Sequence, residues 1–500
     1  LAVRVWRLDL ALVGYDEAAA ASLVAAWRLD GLFPLTGIVS SIGVPNPPAW
    51  PYLLALGLLI FDSPWAVVIL GVGASMLSIL LTWWLGRRWV GPWAALAGAA
   101  FYAVNFWSSL LGRSGWQPVF LQVPVILCLD ALLILAIRRR PWAFVLACGW
   151  LGLMVQLHYI AGVFALMLPI AAWPARRVLR PTHIISGALV GFLFLTPFLI
   201  YELHPTIRLR DFFALASDAG VTAHIDLESW NLFWSVAGGR GAAGLGATES
   251  ERLQQALGRW SNAALIGVPL VAAGGLAAVG GWPRGWRGVL LAAWMLSPVV
   301  GLARHTIGVI FHYLYLAVPG MALCVGALAE WSSFRPHPAP RIAVWAALGL
   351  YGAVSTATLV VVLNHVGQTG EYPASARPLG LNLAAADAVR AVRPPTATVL
   401  IGGSVWRTEV LRFSLGYRTP SRVFDDCAVL PVQADAMYLL DDEQSPAART
   451  LADAEAPLLA RVPRPDGAFL VYGAPRGQIA SEERGAQALN CGDREPQPRT

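Results

Sequence analysis

Gly14, Tyr15, Asp16 and Glu17 place two adjacent carboxylates where an apolar N-terminal segment ends and a long series of apolar runs begins. A carboxylate at such a boundary can accept a proton beside a membrane, with its basicity tuned by apolar surroundings. Further along, Asn46-Pro47-Pro48-Ala49-Trp50-Pro51-Tyr52 leads into Leu53-Leu54-Ala55-Leu56, so a stiff proline-rich loop re-enters an apolar segment. Together these features point to a reaction at a membrane surface.

The elements that must hold such a site are membrane helices. The chain of 500 residues is 57% hydrophobic and 13% charged, with a mean hydropathy of +0.58, which excludes an ordinary soluble class. Tryptophans at the ends of apolar runs (Trp65, Trp83, Trp84, Trp89, Trp142, Trp173, Trp331) read as interfacial belts. The sequence has no lysine, so any cation meeting a phosphate is Arg or His. Basic loops explain the net charge of +6 as a topology signal, and no nucleic-acid partner is implied.

Apolar runs bounded by Arg, Pro and Gly predict spans at 65–86, 91–110, 118–137, 142–156, 160–173, 183–202, 263–281, 287–303, 309–331 and 341–363. Residues 1–13 read as a truncated first span, for about eleven in all; they cover only roughly 20 Å of a core near 30 Å, so the true N-terminus is expected upstream. Arg4, Arg7 and Asp9 interrupt that run and argue against a signal peptide. Arg87-Arg88, Arg138-Arg139-Arg140, Arg176-Arg177 with Arg180, Arg284 with Arg287, and Arg335 with Arg341 fall on alternate loops and mark them as cytoplasmic. The 14–50 loop, the 111–117, 156–159 and 304–308 turns, the 203–262 loop and everything after 364 then lie outside. The spans flanking Gln156–Tyr159 are short, which predicts that this turn sits below the surface in a protein-lined cavity.

A membrane domain over 1–364 is thus followed by a soluble composition over 365–500, predicting a small extracytoplasmic α/β domain. Helices are expected at Ala384–Val392 and Ala447–Glu455, and strands at Ala397–Ile401, Ala436–Leu440 and Ala468–Tyr472. Ile401-Gly402-Gly403-Ser404 lacks the spacing of a phosphate loop. Cys128, Cys148 and Cys324 fall in spans and read as small hydrophobes. Cys427 and Cys491 fall in the outer tail, where a disulfide between them is expected.

The acidic pair, the N-P-P-x-x-P-Y segment, Arg113-Ser114-Gly115-Trp116-Gln117, Gln156-x-His158, Pro197-Phe198-Leu199-Ile200-Tyr201-Glu202 and His312-Tyr313-Leu314 occur in an order that resembles the GT-C glycosyltransferases. More narrowly, the chain is similar to the bacterial branch related to protein O-mannosyltransferases and the lipid A aminoarabinose transferase, over roughly residues 1–364. The resemblance implies inverting transfer of a sugar from a polyprenyl-phosphate carrier to a hydroxyl of a glycan, lipid or protein, at the outer face of the plasma membrane. It also implies that Asp16, in the first outer loop, is the general base or orients the acceptor, with Glu17 as the second catalytic candidate.

A hydroxyl is a poor nucleophile, and a carboxylate that takes its proton as the glycosyl bond breaks answers that need. The plainer alternative is capping, with Asp16 as N-cap and Glu17 as a first-turn acid of a helix starting at Ala18. The departing phosphate needs a cation, for which Arg113, His158, Arg304, His305 and His312 are the outward candidates; Gln117, Gln156, Glu202 and Tyr313 complete the expected substrate-binding set. An interfacial Arg or a satisfied buried His is the alternative for each cation. Relatives carry an acid where this chain has Gln117, which weakens a two-carboxylate metal site and leaves a divalent cation open, with Asp16, Glu17 and Glu202 as its hard ligands. Asp130, inside a span, is expected to be a structural partner. Two rivals remain: a transporter, which should show paired broken helices, and an oligosaccharide ligase or polymerase using a lipid pyrophosphate. The latter should present paired Arg in a large outer loop, where Arg208, Arg210, Arg240 and Arg252 are scattered.

Overall fold

The computed structural model describes residues 2–40, 44–203, 224–238, 263–280, 285–305, 309–372, 376–424 and 435–475. They belong to two compact units, one formed by Leu1–Trp6, Pro34–Leu53 and Leu70–Val362, the other by Arg7–Phe33, Leu54–Ile69 and Leu363–Thr500.

Among the described residues, five helical runs are long and apolar enough to cross a membrane: Pro64–Trp89, Gln117–Arg138, Pro181–Glu202, Phe311–Ser333 and Ala339–Thr369. Shorter apolar helices cover Ala49–Leu58, Pro92–Val104, Trp142–Leu157, Tyr159–Ala175, Leu265–Val279 and Trp286–Gly301. The chain is therefore a multi-pass helical membrane protein, but the predicted span at 91–110 is two helices. Asn105 divides them: its side chain accepts the Ser108 N–H, capping Phe106–Leu111, and donates to Val236 O and the Tyr351 hydroxyl. Similarly, the segment from Phe311 passes through a 3-10 turn, Tyr315–Ala317, before continuing as Val318–Ser333.

Residues 2–13, expected to be the end of a truncated first span, form no continuous helix. Ala2–Val5 makes one helical turn, Arg7 turns left-handed at φ 53°, and Leu8–Leu10 is a 3-10 turn. Arg4 is 1% exposed and donates to Ser75 Oγ at 2.7 Å, Ala103 O at 2.7 Å and Ser108 Oγ at 2.9 Å. A buried guanidinium is tolerated when its donors are met, so this segment is an anchor pinned into a bundle. Asp130 is the structural partner expected of it, 2.8 Å from Arg88 Nη1 and accepting the Trp89 indole N–H at 2.7 Å.

Close approach fixes the loop that follows Phe106–Leu111. A Cβ on Gly71 would fall 1.8 Å from Ser114 O, so the Pro64–Trp89 helix meets the 112–116 turn backbone to backbone. Gly71→Ala should destabilise the protein by about 1–3 kcal/mol through overpacking, read as a lowered melting temperature in detergent; an unchanged melting temperature would mean that the turn yields.

In the first unit β1 (His224–Ile225) pairs antiparallel with β2 (Arg304–His305). In the second, β3 (Thr398–Gly402), β4 (Ser421–Phe424), β5 (Ala436–Leu440), β6 (Leu458–Arg464) and β7 (Gly467–Tyr472) form one sheet of order β4-β3-β5-β7-β6. β3 runs parallel to β4 and β5, while β7 is antiparallel to β5 and β6. Val399, Ile401, Leu439 and Val471 pack on one face with Ala385, Val389 and Leu411, while Leu400, Tyr438, Leu440 and Leu470 pack on the other with Ala448 and Leu451. Strand alternation thus feeds two cores.

The predicted strands and helices of the tail lie within a residue or a few of those observed, the first helix extending from Leu379 to Val392. Helix Val405–Leu415 and strands β4 and β6 were not expected. β6 is an edge strand whose residues alternate in exposure and which carries Pro463, so it lacks the apolar run of a buried strand. Cys128, Cys148 and Cys324 are buried thiols, whereas Cys427 and Cys491 lie outside the described residues.

Candidate substrate-binding site

The acidic pair belongs to the second unit. Its helix runs Tyr15–Asp30 with Gly14 as N-cap, so it starts before Ala18 and Asp16 is its second residue instead of the cap. Glu17 closes the turn: its Oε2 accepts the Gly14 N–H at 3.0 Å, the returning half of a capping box. Tyr15 packs edge-on against Trp406 with ring centroids 4.5 Å apart, and the Tyr417 hydroxyl donates to Ala18 O at 2.7 Å, which ties this helix to the residues around Val405–Leu415.

Glu17 is 3% exposed, and burial, followed by the neighbouring Asp16 charge, pushes its carboxyl up to about 8 against the opposing hydrogen bond from Gly14. At neutral pH it is therefore mostly protonated. An acid whose folded value is raised keeps a proton that the unfolded chain has already released, so its contribution is fully present below the ordinary value near 4.3 and is lost as pH rises towards about 8. Glu17→Gln should gain stability relative to the native protein across that window, by up to about 1.4 kcal/mol per pH unit. Unfolding measured over the same range checks this; parallel pH profiles for the two proteins would place an ordinary carboxylate at position 17.

In the first unit, side chains at helix ends gather three distant segments. Trp50, in the proline-rich stretch and 1% exposed, donates its indole N–H to Gly115 O at 3.1 Å, while the Tyr52 hydroxyl donates to Pro34 O at 2.6 Å. The turn held by Trp50 ends at Gln117, whose Nε2 donates to Leu157 O, next to His158. His158 Nδ1 accepts the Ile160 N–H at 3.2 Å and opens the 3-10 turn beginning at Tyr159. Its ring centroid lies 6.3 Å from that of His312 and 5.9 Å from that of Tyr313, and His312 lies 4.6 Å from Trp116. Trp107, stacked on Phe311 at 3.9 Å, supports the third segment from behind.

This cluster is polar and buried. Arg113 is 1% exposed and its Nη1 donates to Trp6 O. Neither amide atom of Gln156 has a protein partner among the described residues, nor does His312 Nδ1. Buried polar atoms are almost always satisfied, so these mark a place completed by water or ligand. Burial pushes the His158 imidazole down to about 4. His158 is consequently neutral at pH 7, and with Nδ1 accepting, its proton is assigned to Nε2. His158 thus offers a neutral donor at pH 7, while Arg113 belongs to the 112–116 turn.

The other candidates belong to other elements. Arg304 is exposed on β2, paired through the backbone with Ile225, and His305 is paired with His224, so these residues form a strand and not a turn. Glu202 is buried at the end of its helix, and among the described residues no hydrogen bond or ion pair joins it to the histidines. Arg208, Arg210, Arg240 and Arg252 lie outside the described residues. No group of three or more His, Cys, Asp or Glu able to hold a metal occurs among the described residues. Trp50 and Trp107, which sequence alone did not single out, are the supports; the signal for Trp50 was its place in the proline-rich segment.

Residues 45–201, which contain Trp50, Arg113, Gln117, Gln156 and His158, match the family of dolichyl-phosphate-mannose-protein mannosyltransferases. Comparison with curated proteins by sequence finds no match. Among solved structures, ArnT from Cupriavidus metallidurans bound to undecaprenyl phosphate superposes with a TM-score of 0.60 at 15% identity, covering 94% of this chain and 96% of that one. The apo form of the same protein gives a TM-score of 0.57 at 14% identity, with the same coverage. In fold throughout, and in sequence over residues 45–201, the chain is similar to GT-C superfamily membrane glycosyltransferases of the ArnT and protein mannosyltransferase kind.

Proposed function

We propose that the protein is an inverting glycosyltransferase that moves a sugar from a polyprenyl-phosphate carrier to an acceptor hydroxyl at the outer face of the plasma membrane. The observation that carries this is the set of unsatisfied polar atoms on Gln156 and His312 beside neutral His158, buried at helix ends in a fold shared with an ArnT bound to undecaprenyl phosphate. In the reaction the acceptor oxygen forms a bond to the anomeric carbon from the face opposite the carrier as the carbon–oxygen bond to phosphate breaks. Asp16 takes the acceptor proton, and the phosphate keeps the electron pair. Arg113 meets the charge developing on that phosphate, and the His158 N–H and Gln156 amide hydrogen-bond sugar or phosphate oxygens. Glu17 acts by shaping the helix start that carries Asp16. In this reading the portion after 364 is extracytoplasmic.

The test uses full-length protein in nanodiscs with a polyprenyl-phosphate-linked pentose or hexose and membrane-derived acceptors, followed by mass spectrometry for the free carrier phosphate and the glycosylated acceptor. Turnover of this donor with inverted product supports the assignment. Turnover of a pyrophosphate-linked oligosaccharide alone makes the protein a ligase or polymerase, and sugar movement without bond exchange makes it a transporter.

A further inference from the structure

A second cavity lies at the other end of the first unit. The helical run Phe311–Ser333 carries His312 near its start and Glu330 near its end, about 27 Å away at a rise of 1.5 Å per residue. There a cavity of about 240 Å³ has Val90, Ala277 and Ala327 as an apolar wall and Glu330, Trp331 and Arg335 as a polar one. Its two charges are opposite in sign, and among the described residues they form no ion pair with each other. Glu330, 9% exposed, is held in place because Oε2 accepts the Trp93 and Ala94 N–H groups at 2.9 and 3.1 Å. The Arg335 guanidinium lies 4.1 Å over the Trp331 ring. Trp331 is 37% and Phe334, also at the cavity, 78% exposed, rings suited to the headgroup level of a bilayer. Beside it, sharing Val90, lies a gap of only about 20 Å³ between Leu85, Leu129, Leu133, Leu291 and Leu323, with Trp89 and Arg287 also lining it.

A carboxylate and a guanidinium around one cavity with exposed rings at its edge match a headgroup that carries an ammonium and a phosphodiester. We propose that this cavity binds the headgroup of an ethanolamine phospholipid. The phosphodiester sits on Arg335, the ammonium donates to Glu330 and meets Trp331, and the acyl chains stay in the surrounding bilayer. Choline has no N–H to give Glu330, and a glycerol headgroup has no cation, so the pair of charges selects among membrane lipids and not merely for them. The site is independent of the donor site at the opposite end and stands whether or not the protein transfers a sugar.

Delipidated full-length protein in detergent is offered phosphatidylethanolamine, phosphatidylcholine or phosphatidylglycerol at matched concentration, and bound lipid is counted by native mass spectrometry. Phosphatidylethanolamine should bind about tenfold more tightly than either competitor. Glu330→Gln keeps an acceptor for the Trp93 and Ala94 N–H groups, so it should retain the native melting temperature while levelling ethanolamine with choline. Arg335→Gln should weaken all three lipids by about tenfold. Equal retention of the three lipids by the native protein means annular lipid only and overturns the assignment. Preference for phosphatidylglycerol overturns it in favour of a general basic surface, and an ethanolamine preference that survives both substitutions places the site elsewhere.

Discussion

Asp16→Asn should lower the rate of sugar transfer by about 10²–10⁴-fold while leaving carrier binding and melting temperature close to native. Asn keeps the size of the side chain and a carbonyl acceptor, and removes only the ability to take a proton. The structure separates this outcome from loss of the N-cap, because Gly14 is the N-cap and Glu17 closes the turn. Glu17→Gln is the matched control. With its carboxyl at about 8, Glu17 is already close to neutral at pH 7, and the amide still accepts the Gly14 N–H, so transfer at pH 7 should stay within a few-fold of native. Purified variants assayed for release of free carrier phosphate decide the matter. Native-rate transfer by Asp16→Asn removes Asp16 from the chemistry; a large loss with Glu17→Gln and none with Asp16→Asn would exchange the two roles.

Burial of apolar runs is local in sequence, and for that reason most membrane helices could be placed from composition: Gln117–Arg138 and Pro181–Glu202 begin and end within a residue or two of their predicted limits. What escaped was set by partners far along the chain. Arg4 looked like a charge interrupting a span, yet its acceptors are Ser75, Ala103 and Ser108. The break at Asn105 depends on Val236 and Tyr351, over a hundred positions away in sequence. The cluster was legible as residues but not as a cluster: the chain pattern singled out Gln117, Gln156, His158, His312 and Tyr313, whereas the pairing of Arg304 with Ile225 was not expected. Charge was the least legible property. His158 was a candidate cation and Glu17 a second catalytic candidate or a capping acid, and burial favours the neutral form of both at pH 7.

Asp441→Asn should cost the second unit about 3–5 kcal/mol. Asp441 directly follows β5, and its side chain is 4% exposed. Three guanidinium groups converge on it: Arg377 Nε at 2.9 Å and Arg464 Nη1 at 3.1 Å from Oδ1, and Arg407 Nη1 at 2.8 Å from Oδ2. The side chains of Arg377 and Arg464 are 2% and 3% exposed, with their guanidinium carbons 5.5 and 5.0 Å from the Phe469 ring centroid. Asn in this position would turn an amide N–H₂ towards at least one Arg and remove the charge that the buried cations share. The remaining carboxylates compensate poorly, since Asp466 and Glu371 are about a third exposed, at 30% and 33%, and their ion pairs are screened by solvent. Asp466→Asn should therefore cost less than about 1 kcal/mol. Hydrogen exchange of peptides covering β3 and β5 in the full-length protein separates the two cases: protection should fall roughly a hundred- to several-thousandfold for Asp441→Asn and less than about tenfold for Asp466→Asn. Equal, small losses in both variants would mean that water reaches the guanidinium groups and that the carboxyl ends of β3 and β5 are held by the apolar cores on either face of the sheet, with no need of the charge.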